Sequence, residues 1–164
     1  MADGPAAKTF ADLVGGLDYP MFVVTAAAGE RRAGCLVGFA SQCSIDPPRF
    51  VVFLSDKNLT YRVALAAPVL AVHVVPREAR DLARLFGEET GDEVDKFGRC
   101  EWHPGEEGVP LLERCPDRFT GRVVERFVAG DHTGFLLEPI DVQATGGSFF
   151  PFEEAKDLSP GHEA

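Results

Sequence analysis

Short apolar runs separated by glycine and proline breaks dominate the chain from Tyr19 onward. Met21-Phe22-Val23-Val24-Thr25-Ala26 is rich in β-branched and aromatic residues and lies between Pro20 and Gly29, which predicts a strand. Gly29-Glu30 reads as a hairpin turn into a second strand from Arg32 towards Val37. Phe50-Val51-Val52-Phe53-Leu54 follows the stop at Pro47-Pro48; its unbroken apolar character predicts a strand buried on both faces. Val69 to Val75 predicts another strand. Phe119 to Val128 and Thr133 to Val142 predict a pair joined at Ala129-Gly130-Asp131.

Helical spacing is confined to short stretches. After a loose lead-in over Met1 to Ala7, the residues Phe10, Leu13 and Val14 make one stripe that ends at Gly15-Gly16. Thr60 to Ala67 predicts a second helix closed by Pro68. A third starts at Pro76, carries Leu82, Leu85 and Phe86, and stops at Gly87. Glu88 to Gly108 is polar and Gly-rich apart from Phe97 and Trp102, and reads as a long excursion that covers something. From Gly146 the chain is loop-like and acidic. Many strands at short spacing with few short helices indicate a closed, mainly β architecture rather than a doubly wound sheet. The organisation expected is a lead-in and helix over 1–18, one domain over 19–145 and an extension over 146–164.

Composition narrows the function. The 164 residues suit one domain, and 45% hydrophobic content is enough for a buried core. A formal net charge of −10 argues against nucleic acid as a partner, because phosphate backbones are held by basic patches. Any phosphate must therefore be gripped by a few local donors. Cys35, Cys43, Cys100 and Cys115 form no C-x-x-C pair and no disulfide framework. Neither a signal peptide nor a membrane span is visible, so a cytoplasmic protein with reduced thiols is expected.

Three segments carry candidate chemistry. Gly34 to Pro48 leaves a strand through small residues, offers Ser41, Gln42 and Ser44, and stops at a double proline. Such a segment lets a planar ligand approach the backbone; a bulged strand with a polar face is the other reading. Ser55-Asp56-Lys57-Asn58-Leu59-Thr60 brings hydroxyls, an amide and an ammonium together before a helix, as a phosphate site or as a plain N-cap. Gly130-Asp131-His132 places a histidine beside a carboxylate, either to orient a substrate or as an ordinary turn.

In this order, the three segments resemble the flavin reductase-like family of FMN-binding split β-barrels, over about Tyr19 to Val142. The resemblance implies a six-stranded, Greek-key-type split barrel with a few short helices. It also implies a homodimer with FMN, or FAD, at the subunit interface, and NADH or NADPH as hydride donor. Reduced flavin would be supplied to a monooxygenase partner. By the same analogy Cys35, Leu36, Val37, Gly38 and Phe39 line the isoalloxazine ring. Ser41, Gln42 and Ser44 reach the ring edge and ribityl chain, while Ser55, Lys57, Asn58 and Thr60 take the phosphate. His132 faces the nicotinamide, and Phe97 and Trp102 shield the ring or donor. Other readings of the fold are a flavoprotein with another electron donor, a deazaflavin-dependent enzyme, or a flavin-binding module without turnover.

Elsewhere the signals are weaker. Cys100, His103 and Cys115 have a partly zinc-like spacing but lack an obvious fourth ligand, so no metal site is expected. Cys35 and Cys43 have no sequence-evident activating neighbour. His73, inside a strand, reads as a satisfied core histidine.

Overall fold

The structure, a computed structural model, describes residues 4–161. Seven strands form one antiparallel sheet: β1 (Phe22–Ala28), β2 (Arg31–Val37), β3 (Ala40–Ser44), β4 (Arg49–Ser55), β5 (Val69–Val74), β8 (Arg118–Ala129) and β9 (His132–Gln143). A separate small ribbon pairs β6 (Trp102–Pro104) with β7 (Pro110–Leu112). Four helices accompany them: α1 (Pro5–Gly15), α2 (Leu59–Ala64), α3 (Arg80–Glu88) and α4 (Phe152–Ala155).

In the large sheet the spatial order is β2-β1-β5-β8-β9-β4-β3, so β2 and β3 are its two edges. Yet only Gly38 and Phe39 separate the end of β2 from the start of β3. Three Cα–Cα steps span at most about 11 Å. The first and last strands must therefore meet, and the sheet curls into a barrel that is open along a seam. This is the split barrel expected, with seven strands rather than six. The additional one is β3, which the sequence hides among small and polar residues.

Two apolar layers share β1. Phe22, Val24 and Ala26 point into the barrel with Val52, Leu70, Phe135 and Leu137, and α2 plugs it with Val63 and Ala64. Met21 and Val23 face outward into a second cluster with Leu82, Ala83 and Phe86 of α3, Phe97, Leu112 and Phe150. The strands buried on both faces are thus β1 and β5. In β4 only Val52, Leu54 and Ser55 are buried, whereas Val51 and Phe53 remain partly exposed. The long excursion does cover something: it lies over the outer layer, with Phe97 edge-on to both Phe86 and Trp102.

Several boundaries differ from expectation for local reasons. Helix α1 begins at Pro5, whose fixed φ suits a first turn, rather than after Ala7; residues 1–3 lie outside the described residues. The third helix begins at Arg80, four residues after Pro76. The acidic C-terminal segment is not simply loop: Phe150 is fully buried, and α4 follows it.

Candidate functional site

The barrel seam opens into a cavity of about 430 Å³, inside the range of roughly 300–1,000 Å³ usual for cofactor sites. Its lining includes Cys35 to Phe39 from the end of β2, Phe53 to Ser55 from the end of β4, Asn58 and His132. Backbone bonds hold these segments together. Phe53 N donates to Phe39 O at 2.9 Å, and Asp56 N donates to Asp131 O at 3.1 Å. Across the β4–β9 ladder Ser55 faces His132. The Thr133 hydroxyl donates to Asp56 at 3.1 Å. The two-residue turn that delivers His132 has Gly130 at φ 82°, a backbone region that favours glycine.

His132 sits between a carboxylate and a ring. Asp131 accepts from its Nδ1 at 2.7 Å, and the Phe39 ring lies 5.2 Å away, centroid to centroid. The imidazole beside Asp131 holds that carboxyl below its ordinary range. Opposite them, the ring of Tyr19 stacks on Phe152 at 4.6 Å with an interplanar angle of 8°. Phe152, Ala155 and Leu158 add a wall from the C-terminal segment. That wall is anchored by Arg80, which makes two 2.8 Å bonds to the Asp157 carboxylate.

The loop and its neighbours carry unspent polar capacity. Strand β2 is an open edge, and Gly34 O turns outward to accept from Lys96 at 2.9 Å. Main-chain groups of an antiparallel strand alternate sides, so those of Leu36 also face outward, towards the cavity. Thr60 is buried, and its hydroxyl oxygen has no hydrogen-bond partner among the described residues. It adjoins the Cys35 thiol, which burial pushes up against smaller opposing effects of Thr60, Lys96 and Asn58. The Asn58 side chain also caps α2, accepting from Thr60 N at 2.9 Å. Cap and site residue are here one group.

Of the residues singled out by sequence, Cys35, Leu36, Val37, Gly38, Phe39, Ser55, Asn58 and His132 line the cavity, with Thr60 directly behind Cys35. Ser41, Gln42 and Ser44 do not. They lie on edge strand β3, where the Ser41 hydroxyl donates to Gln42 O and the Gln42 amide donates to Ser44 O. Lys57 is not among the lining residues. Phe97 and Trp102 belong to the outer apolar layer, because the Phe86 ring draws Phe97 inward. Sequence reasoning missed Tyr19, Met21, Phe53 and the C-terminal wall. The aromatic run Phe149-Phe150-Pro151-Phe152 inside an acidic tail was the available signal for that wall.

The remaining candidates have structural partners. His73 is fully buried with both ring nitrogens engaged, and His103 pairs with Glu113. Burial pushes the Cys115 thiol up to about 12, the reverse of what a metal ligand needs. Among the described residues no group of three potential metal ligands occurs.

The family model of the flavin reductase like domain matches residues 14–151. A high molecular weight rubredoxin of Moorella thermoacetica is 32% identical over 122 residues, 73% of this chain and 53% of that protein. The chain thus spans about half the length of this relative. A ferric-chelate reductase (NAD(P)H) of Archaeoglobus fulgidus is 26% identical over 129 residues, covering 77% of this chain and 76% of that one. Among solved structures, the NADH:FAD oxidoreductase of Streptomyces globisporus shares the fold, with a TM-score of 0.81 at 23% identity over 99% of this chain and 94% of that one. With the family model running from the last turns of α1 to the C-terminal wall, and with residues of three separated motifs folded around one cavity, this chain belongs to the flavin reductase like domain family.

Proposed function

We propose that this chain is an NAD(P)H-dependent flavin reductase that binds FMN, with FAD as the alternative flavin. The observation that carries this reading is the convergence of the loop Cys35–Phe39, the segment Ser55–Asn58 and His132 on one cavity. The residues present fit a flavin. The open edge of β2 offers main-chain groups, the walls are mostly apolar or aromatic, and behind Cys35 the buried Thr60 hydroxyl has no hydrogen-bonded oxygen or nitrogen among the described residues.

A bound flavin supplies two-electron redox chemistry, and the chain supplies position, donors and dryness. Met21, Val37, Leu54 and Leu158 exclude water from the cavity. Main-chain groups of the loop orient a planar ring and favour the charge that accumulates on it during reduction. Asp131 fixes the His132 ring through Nδ1, which leaves Nε2 for the nicotinamide donor.

The same reading includes a homodimer with each flavin touching both chains. Phe39, Ile45 and Val128, exposed by 57%, 84% and 79%, support it, as does the placement of Ser41, Gln42 and Ser44 on the outer edge β3. It also includes delivery of reduced flavin to a partner monooxygenase, on the family resemblance. A cytoplasmic location rests on the free Cys35, Cys43, Cys100 and Cys115. No helix among the described residues is long and apolar enough to cross a membrane. Steady-state consumption of NADH and NADPH with added FMN tests the activity. Turnover that rises with FMN is expected; flavin binding without turnover would reduce the protein to a binding module.

A further inference from the structure

The C-terminal segment changes character after Pro151. Phe150 and Pro151 are buried, and Pro151 bridges to Pro20 at the entry to β1. From Phe152 to Gly161 no residue is buried, although this stretch forms one wall of the cavity. Phe152, Ala155, Leu158 and Pro160 turn to the cavity, while Glu154 and Asp157 turn to α3. The inner side chains reach only the rim of the second apolar layer, and one aromatic contact, Phe152 on Tyr19, starts the segment. No core side chain pins the rest, so polar contacts hold it.

Those contacts form a ladder. Arg77, Arg80 and Arg84 follow at helical spacing along one side of α3 and its lead-in. Arg77 donates to the Glu154 carboxylate at 2.8 Å. Arg80 donates to Glu154 O at 2.7 Å and, through one nitrogen, to both Asp157 oxygens at 2.8 Å. Arg84 donates to Glu88 at 3.2 Å, and Glu88 in turn accepts from Ser159 N at 3.2 Å. The last rung is Gly161 N, which donates to Gly87 O at 3.2 Å. A Cβ on Gly161 would stand 2.7 Å from Glu88 O and 2.8 Å from Glu89 C, so the end of the segment lies directly on backbone. The side chains of the central pair, Arg80 and Asp157, are 43% and 72% exposed. Ion pairs so exposed are individually weak and are screened by salt.

We propose that residues 152–161 are a strap over the cavity, pivoting at Pro151 and latched by the arginines of α3, with Arg80 as the positioning residue of the latch. The strap follows from the contacts above, whereas a flavin as the ligand it retains rests on the proposed function. Closed, the strap presents Phe152 and Leu158 to a planar ligand, which buries their inner faces and so favours the closed state. Open, it exposes the Tyr19 ring and, behind it, the loop Cys35–Phe39. The latch therefore governs how fast a ligand leaves. Salt loosens its exposed ion pairs but not the wall built by the buried Val37 and Leu54.

The test follows riboflavin, which is uncharged near neutral pH, so that salt acts on the strap and not on the encounter. Its dissociation from the full-length protein is timed by the recovery of flavin fluorescence after rapid dilution. Wild-type dissociation is expected to quicken by about threefold or more between about 0.02 M and 0.5 M NaCl. Arg80→Gln should quicken it by about fivefold at low salt and leave little further salt dependence. Exchanging the pair, Arg80→Asp with Asp157→Arg, should return the rate to within about twofold of wild type. Rates that ignore both salt and Arg80, or an Arg80→Gln defect that the exchanged pair does not correct, overturn the latch. If Arg80→Gln fails to fold, the wild-type salt series decides. Wild-type protein that binds no riboflavin or FMN would instead overturn the flavin reading, and hydrogen exchange of the ligand-free protein then judges the strap. Exchange over 152–161 should quicken in Arg80→Gln while β1 and β5 stay protected, and unchanged exchange there overturns the proposal.

Discussion

His73 illustrates how a titratable residue becomes part of a core. Its Nδ1 donates to Val23 O at 2.9 Å and its Nε2 accepts from Leu112 N at 3.1 Å, which ties β5 to β1 and to β7 in the neutral form. Burial lowers its pKa from 6.5 to about 4. The unfolded chain therefore takes up a proton that the folded chain refuses. Nothing is lost above pH 6.5, and stability falls as pH drops from there towards 4, by roughly 3 kcal/mol in total. Urea unfolding across that window should show this decline; a flat profile would mean that His73 is not held neutral. Gly34 makes a second residue-scale case. A Cβ there would sit 2.7 Å from Phe86 Cε1 and 3.2 Å from Thr25 Cγ2, both in packed surroundings. Gly34→Ala should cost about 1–3 kcal/mol, seen as a drop in thermal midpoint of several degrees. A third residue-scale case, His132 on the cavity wall, follows from the proposed function. His132→Ala should lower NADH-dependent turnover by roughly 10²-fold or more while changing FMN affinity little, and equal losses in both would remove its donor-side role.

At the scale of elements, the C-terminal segment shows what a chain's own tail contributes to a cavity. Phe150 N donates to Val75 O at 2.7 Å and Met21 N donates to Phe150 O at 2.8 Å, so this residue locks the segment between β5 and the entry to β1. Beyond it, Phe152 and Leu158 form the cavity wall and pack on the outer edge of the second apolar layer, with Phe152 N donating to Tyr19 O at 2.8 Å. Deleting residues 152–164 should leave the circular dichroism spectrum intact and weaken FMN binding by about tenfold, the scale expected for exposing one or two apolar contacts. Loss of the fold would show that the segment is structural first. The strands were legible in the sequence wherever β-branched runs met Gly or Pro, as in β1, β5 and the β8–β9 pair. Edge strand β3 was legible only as one of two readings, the bulged strand with a polar face, because Ala-Ser-Gln-Cys-Ser has neither bulk nor clean alternation; the bulge falls between Gln42 and Ser44. The burial of β1 on both faces was equally hidden: it depends on α3 and the covering excursion, which lie far along the chain. At the candidate site, the places of the loop Cys35–Phe39 and of His132 on the cavity wall were readable from small residues and from a Gly-Asp-His turn. The burial of Lys96 in the covering excursion was not legible, since a lone lysine in a polar stretch carries no sign of it.

The molecule as a whole follows from one topological fact, the two-residue link between opposite edges of a sheet. That link curls the sheet, leaves the seam open, and sets Cys35–Phe39 beside Ser55 and His132, so barrel and cavity are the same feature. It also leaves the outer edge of β3 without a partner strand among the described residues and Ile45 and Val128 largely exposed, a surface that a second copy would cover. Sedimentation equilibrium should accordingly give a dimer, and Val128→Asp at the hairpin tip should shift it towards monomer; a wild-type monomer would remove the shared-flavin arrangement. Transfer of reducing equivalents to flavin in this cavity is read out by an anaerobic absorbance spectrum of the protein with bound FMN. Addition of NADH, or failing that NADPH, should bleach the flavin absorbance band within the time of turnover. A band that persists in excess of both donors would rule out hydride transfer from a nicotinamide to this flavin.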